Sequence, residues 1–521
     1  MSKKSRRKTR RERAAPAPSS ATGRKGRRAA AVALCALLAA SAAGGALSRW
    51  GGLGGRPAAA LTRAQVQTTT SSQQLSLAKE YVYAGSRLVA TEEPTPTPTP
   101  GCTPSAAPSV IISEFRLYGP AGPQDEFVEL YNGSADPVTV CAADGTAGWT
   151  LEVGQSSSIH QDFQPTPLPT ATATIVDEDA PPPADDTPPA IPPVSSQAVN
   201  SILIPNGVTI PALGHYLLVN VGDSSNNVQG YSLAAYAAGD QTYQGDIPGG
   251  AGLALFTTAD PSHFTTTYLL DAVGFSGAPA PYYEGTALSP AGGVTAPGQY
   301  SFVRQLATGA PQDTNNNASD FVFVSTDGGT YSGLASVLGA PGPENRSSPV
   351  NRNAQLKTTL IDPCQTTSNA PNRERYSASY TDPAAPAGSG TGTYPLGTIT
   401  IRRRYTNNTG GSVTRLRFRV VDITAGPAPS GTADLRAITS QSTTVAVTPG
   451  CGASSSVSVA GTTLEAPPAQ PMGGGFNSTY SAGSVSLSNP IGPGSSINVQ
   501  FTMGVAQTGS FRFVVLVEAL P

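Results

Sequence analysis

Short apolar runs closed by glycine or proline set the first limit on what this chain can fold into. The sequence carries 56 Gly and 48 Pro in 521 residues, and punctuation of that density suits short strands joined by turns rather than long helices. Lysine is scarce after the first 28 residues, and Thr, Ser and Ala fill the space. The length is enough for two or three domains. The expected class is all-β.

The net charge of −2 conceals an asymmetry. Residues 1–28 hold twelve of the 32 basic residues and a single acid, Glu12, which leaves 20 basic against 33 acidic residues, about −13, in the rest. A body of that sign is a poor match for nucleic acid, whose recognition rests on positive charge. The basic block is followed by an uncharged stretch at residues 29–47, with small residues at Ala40-Ser41-Ala42. A basic segment, an apolar segment and a small-residue site together read as a secretory signal. The alternative is a membrane anchor with its positive end inside. Its nineteen residues suffice in length, but they are mostly Ala, Gly and Ser, so insertion would be marginal. Residues 1–50 are therefore assigned to export or anchoring.

Cys35 lies in the apolar segment, leaving Cys102, Cys141, Cys364 and Cys451. Four cysteines allow three pairings; the simplest joins sequence neighbours, Cys102–Cys141 and Cys364–Cys451, and free buried thiols are the alternative. No CxxC or Cys/His spacing suggests zinc.

Residues 51–108 read as a flexible linker with a short hairpin at residues 77–90 and a stiff Thr-Pro spacer at residues 95–100. Glu80-Tyr81-Val82-Tyr83-Ala84-Gly85-Ser86-Arg87-Leu88-Val89 resembles a strand of tyrosine-aspartate repeat proteins over about a dozen residues. The first folded domain is placed at residues 109–345. Period and turn residues predict strands at Val110–Ile112, Phe127–Tyr131, Val138–Val140 and Trp149–Leu151. A Pro/Asp/Thr-rich insert at about residues 155–196, with Asp177-Glu178-Asp179 and Asp185-Asp186, reads as a disordered loop. Strands resume at Ser201–Ile204, Tyr216–Val221, Ala251–Phe256, Tyr268–Phe275, Ser301–Arg304 and Phe321–Val324.

These blocks resemble bacterial lamin tail domains. The likeness rests on Ile112-Ser113-Glu114-Phe115, then Glu126-Phe127-Val128-Glu129-Leu130-Tyr131-Asn132, then Trp149-Thr150-Leu151. It continues through Leu213-Gly214-His215-Tyr216-Leu217-Leu218-Val219, Ser301-Phe302-Val303-Arg304 and Asp313-Thr314-Asn315-Asn316-Asn317 with Asp320-Phe321, closing at Pro341-Gly342-Pro343-Glu344-Asn345. The resemblance implies an immunoglobulin-like β-sandwich with a tendency to bind but no shared reaction.

Residues 352–521 predict a second β-sandwich. Thr398–Tyr405 and Val413–Val421 flank Asn407-Asn408-Thr409-Gly410-Gly411 and read as a hairpin. In its second strand Leu416, Phe418 and Val420 share one face and Arg415, Arg417 and Arg419 the other. Phe511–Val517 reads as a buried closing strand. The hairpin would set Arg402 and Arg404 beside Arg415, Arg417 and Arg419, and like charges across a sheet need acids such as Asp422 and Asp434, solvent, or an anionic ligand.

The catalytic inventory is thin. His160, His215 and His263 are the three histidines, and no nucleophile elbow, phosphate loop or zinc histidine pair is present. Glu114 and Glu129 could form a carboxylate pair, though a structural role in the lamin-tail-like strands is the plainer reading. Asp313, Asn315, Asn317 and Asp320 begin like a calcium loop, but Ala318 and Val324 stand where an EF-hand needs Gly and Glu. Asx turns are the alternative, and no other cofactor is expected. The function expected from the sequence is an exported, non-enzymatic surface or structural module with a cell-surface polymer or protein ligand. A polyanion or nucleic-acid binder using Arg402–Arg419 comes second, and a hydrolase third.

Overall fold

The computed structural model describes residues 80–84, 87–92, Cys102, 109–155, 199–306, 308–385, 392–425 and 432–520. The segment at 29–47, His160 and the insert at 156–198 lie outside the described residues. The protein is all-β: among the described residues the one α-helix is the single turn Asn317–Asp320. Glu80–Ala84 and Arg87–Glu92 pair as the short antiparallel hairpin expected there.

The first sandwich uses eleven strands: β1 (Val110–Arg116), β2 (Phe127–Asn132), β3 (Gly148–Gly154), β4 (Ser201–Pro205), β5 (His215–Asn220), β6 (Gln241–Tyr243), β7 (Gly252–Phe256), β8 (Leu269–Gly274), β9 (Tyr300–Arg304), β10 (Phe321–Ser325) and β11 (Val337–Leu338). One sheet runs β6-β5-β2-β1-β9-β10-β11 and the other β8-β7-β3-β4. Alternation explains the burial. In β4, Ile202 and Ile204 turn inward while Ser201, Leu203 and Pro205 are exposed. The core contains Ile112, Phe115, Leu130, Trp149, Leu151, Leu253 and Phe302, so both sheets bury one face against each other. Trp149 is fully buried, and its indole donates to the Cys141 carbonyl at 3.1 Å. That contact anchors the indole beside the Cys102–Cys141 disulfide.

The second sandwich continues with β12 (Val350–Asn351), β13 (Leu356–Thr359), β14 (Arg373–Tyr376), β15 (Thr398–Asn407), β16 (Arg415–Ile423), β17 (Asp434–Ile438), β18 (Thr463–Leu464), β19 (Thr479–Ser481), β20 (Ser496–Gln507) and β21 (Phe513–Leu520). Its sheets run β12-β21-β16-β19-β18 and β13-β15-β20-β17, with β14 also paired to β15. The expected hairpin between β15 and β16 does not form, because the two strands belong to different sheets. Asn407 explains the crossing: its amide donates to the Gly411 and Ile491 carbonyls, both at 2.7 Å, and its Oδ1 accepts from the Thr409 amide at 2.9 Å. These bonds arch the chain from one sheet to the next instead of folding it back. Leu416, Phe418 and Val420 face the core as expected. The closing strand is less buried at its start than its sequence suggests, with Val514 exposed.

Both sandwiches lie in one compact unit spanning Ser76–Pro521. Val303, Leu306 and Val324 of the first pack with Val421, Phe476 and Leu516 of the second in a shared apolar cluster. Backbone bonds from Ala340 to Phe476 and from Phe476 to Leu338 add to this junction.

Candidate functional site: a buried charge cluster between the sandwiches

Glu114 on β1 and Glu129 on β2 are cross-strand partners. Both are buried. Glu114 Oε1 accepts from the Ser301 hydroxyl at 2.6 Å and the Gly342 amide at 3.0 Å, and Oε2 accepts from Asn477 Nδ2 at 3.0 Å. Glu129 accepts from the Ser113 hydroxyl and the Glu344 amide. His215, at the start of β5, stands between two acids: Nδ1 is 2.9 Å from Glu129 and Nε2 is 3.0 Å from Glu344.

Glu344 carries the network into the second sandwich. It pairs with Arg417, and with Arg419 at 2.9 Å. Glu518 on β21 sits in register opposite Arg417 and takes the Nε of both arginines, at 2.6 and 2.7 Å. Arg419 Nη1 donates to Asn477 Oδ1 at 2.5 Å and to the Gly342 carbonyl at 3.2 Å. A Cβ at Gly342 would stand 2.7 Å from Arg419 Nη1, so a larger residue there would displace that guanidinium.

The face that the sequence presents as a solvated arginine stripe is thus a buried ionic junction. Arg417 and Arg419 are 1% and 4% exposed, and a buried charge must be paired. Arg415 is half-exposed and paired to Glu465. Arg402 and Arg404 lie on the other sheet. Arg402 bonds Glu374 at 2.8 Å and Gln500 at 2.9 Å, and Arg404 faces solvent. Asp422 and Asp434, the acids expected to compensate the stripe, instead pair with Arg512 and Arg436.

Burial drives the titration of the cluster. Desolvation first, then the adjacent Glu129 charge, pushes Glu114 up to about 7. Burial would raise Glu518 too, but Arg417 and Arg419 outweigh it and hold its carboxyl low. For Glu114 the folded state binds a proton more tightly than the unfolded state. Its contribution to stability is therefore complete below its ordinary value near 4.5 and is lost as pH rises through about 7. Denaturant titrations from pH 5 to pH 8 should show Glu114→Gln losing about 2–3 kcal/mol less stability over that interval than the wild type. Equal slopes for the two proteins would show that Glu114 does not titrate there.

The cleft bordered by Glu114, Glu129, His215, Arg419, Asn477 and Glu518 offers about 40 Å³ of water-accessible space. That holds a few waters and is far below the size of a pocket for an organic substrate. The arrangement can bind the two sandwiches together through charge-assisted bonds.

The loop with the four calcium candidates is organised around a different cation. Arg304 Nη2 pairs with both Asp271 oxygens at 2.7 and 2.9 Å, and Nη1 lies 3.4 Å from Asp313 and from Asp320. Asn317 spends its side chain on the Gly274 and Glu284 amides and the Ala272 carbonyl, so it is not free to ligate. Asp320 caps Thr314, and Asp313 accepts from the Asn315 amide in an Asx turn. Asn315 is exposed in a left-handed conformation. Asp271, Glu284 and Asp313 bring oxygens within 4.8 Å of one another. Burial, then the charges of Asp271 and Asp313, push Glu284 up to about 8.

Both disulfides join the sequence neighbours, Cys102–Cys141 and Cys364–Cys451. Glu344 and Glu518 escape a reading of the sequence. Glu344 sits in a Pro/Gly-rich closing turn, and the one available signal for Glu518 was an acid inside an apolar strand, which folds only with a partner. Among the described residues no helix is long and apolar enough to cross a membrane. No family model, curated protein or solved structure matches the chain.

Proposed function

We propose that this protein is an exported, non-enzymatic structural and binding module, built on a lamin-tail-like sandwich fused to a second sandwich and displayed beyond the membrane by its N-terminal region. The observation that carries this reading is the fate of the best catalytic candidates. Glu114, Glu129 and His215 are spent on the junction between sandwiches, with too little space beside them for a substrate. The lamin-tail likeness is supported by the positions of its motif residues. Glu114, Glu129, His215, Arg304 and Glu344 all serve packing or ion pairing on or beside the seven-stranded sheet. Export is supported by the two disulfides, which persist in oxidising compartments.

Two measurements test the proposal. Fractionation of the native cells with N-terminal sequencing should place the protein outside the cytoplasm, without free thiols at Cys364 and Cys451. A cytoplasmic, reduced protein would overturn export. A broad hydrolytic screen should give no turnover; activity abolished by Glu114→Gln or Glu129→Gln would overturn the non-enzymatic reading.

A further inference from the structure

The arginines whose side chains the structure describes divide into two groups. Arg116, Arg304, Arg346, Arg402, Arg415, Arg417, Arg419, Arg436 and Arg512 each pair with a carboxylate. Arg352, Arg373, Arg375, Arg403 and Arg404 form no ion pair with the described residues, and all but Arg352 gather at one edge of the second sandwich, on β14 and β15. This concentration is unexpected in a chain whose body carries about −13.

Register places three of them on one side. Arg373 and Arg375 are two residues apart on β14, opposite Ile401 and Ile399; Arg403 is the next residue on that side of β15. Successive same-side positions are about 6–7 Å apart along a strand, so the three stem positions form a short ladder. Arg375 is exposed and is held by the Tyr376, Thr398 and Leu396 carbonyls. Arg373 lies over the Phe511 ring with its guanidinium carbon 5.7 Å from the centroid. Arg403 donates to the Asn372 and Arg402 carbonyls. These partners fix the guanidiniums without neutralising them. Burial lowers the Arg403 pKa, and the facing Arg373 charge adds to the effect.

Beside this ladder runs a groove of about 250 Å³ of water-accessible space, bordered by Arg373, Arg375, Ile399, Leu435, Val505 and Phe511. We propose that this groove binds an acidic polysaccharide, its carboxylates on Arg373 and Arg375 in the groove and on Arg403 at the next step of the ladder outside it, and the apolar faces of its sugar rings on the Phe511 side. Guanidinium forks match planar carboxylates two bonds at a time. A nucleic acid fits less well: with one charge per about 1.7 Å of duplex it is repelled by the acidic body more strongly than a polysaccharide with one carboxylate per sugar. The choice of a polysaccharide rests on the exported reading, but the test below is made on purified protein and does not depend on where the protein resides.

The full-length chain is treated with an arginine-selective reagent, and modification is read residue by residue by mass spectrometry. Polygalacturonate should protect Arg373, Arg375 and Arg403 by at least about threefold, while neutral dextran should not. Site-resolved reading separates this groove from the basic residues 1–28. Charge reversal in Arg373→Glu/Arg403→Glu should weaken retention of the chain in a polygalacturonate gel by about tenfold relative to wild type. Arg346→Glu, half-exposed and paired with Asp240 of the first sandwich, serves as the charge control. If the double variant is misfolded by circular dichroism, Arg373→Gln alone should still weaken retention. Unchanged reactivity of all three arginines with polygalacturonate would overturn the proposal. Equal protection by duplex DNA would overturn the choice of a polysaccharide.

Discussion

Replacing Glu518 by alanine is expected to destabilise the protein by about 3–5 kcal/mol, the cost of leaving buried charges with a missing partner. Glu518 is 4% exposed and receives the Nε of both Arg417 and Arg419. Without it the two guanidiniums share Glu344 alone, and Glu344 already faces His215. Water in the adjoining cleft of about 40 Å³ replaces a charged partner only in part. Equilibrium urea unfolding measures the loss, and Arg417→Met combined with Glu518→Ala should recover part of it by removing one stranded charge. A loss below about 1 kcal/mol in the single variant would show that the cluster does not fasten the junction. The cluster also bears on cooperativity. If it fails, the two sandwiches are expected to unfold in separate transitions where the wild type shows one.

Removal of the Cys364–Cys451 disulfide should have an effect of similar size. The bond spans 87 residues, against 39 for Cys102–Cys141. Loop-closure entropy predicts about 4.6 kcal/mol for the longer loop and about 3.9 kcal/mol for the shorter one. Contacts other than the bond also hold the segment around Cys364. Asp362 accepts from the Cys364 amide at 2.9 Å and the Thr448 amide at 2.8 Å, and Ile361 packs with Val447 and Val459. Cys364→Ala/Cys451→Ala is therefore expected to keep its fold while losing about 3–5 kcal/mol in urea. A variant with unchanged stability would mean that the unfolded chain is already restricted at this loop.

The two sandwiches differ in how openly their sequences describe them. In the first, short apolar runs between glycine and proline place β1, β2, β3, β5, β9 and β10 within a few residues of their observed limits; these strands are buried along nearly their whole length, and β4 alternates cleanly. In the second, the individual strands are equally legible, but their pairing is not. A loop rich in Asn and Gly serves a hairpin and an arch alike, and only the bonds made by Asn407 to Ile491, 84 residues away, select the arch. The arginine stripe repeats the lesson. Alternation correctly puts Arg417 and Arg419 opposite Leu416, Phe418 and Val420, yet it does not say whether that outer face meets water or another domain.

Sequence alone determined the all-β class and which residues share a strand face, since both follow from local period and turn chemistry; it left three cysteine pairings open, and the structure forms the simplest, between neighbours. Tertiary structure decided the destination of the charges. It carried Glu344 and Glu518 to Arg417 and Arg419, gave Arg304 the place at Asp271 and Asp313, and left Arg373, Arg375 and Arg403 without a carboxylate among the described residues. The physical reason is that ion pairing in this fold joins residues far apart in sequence, and the cost of burying an unpaired charge is set by what packs over it.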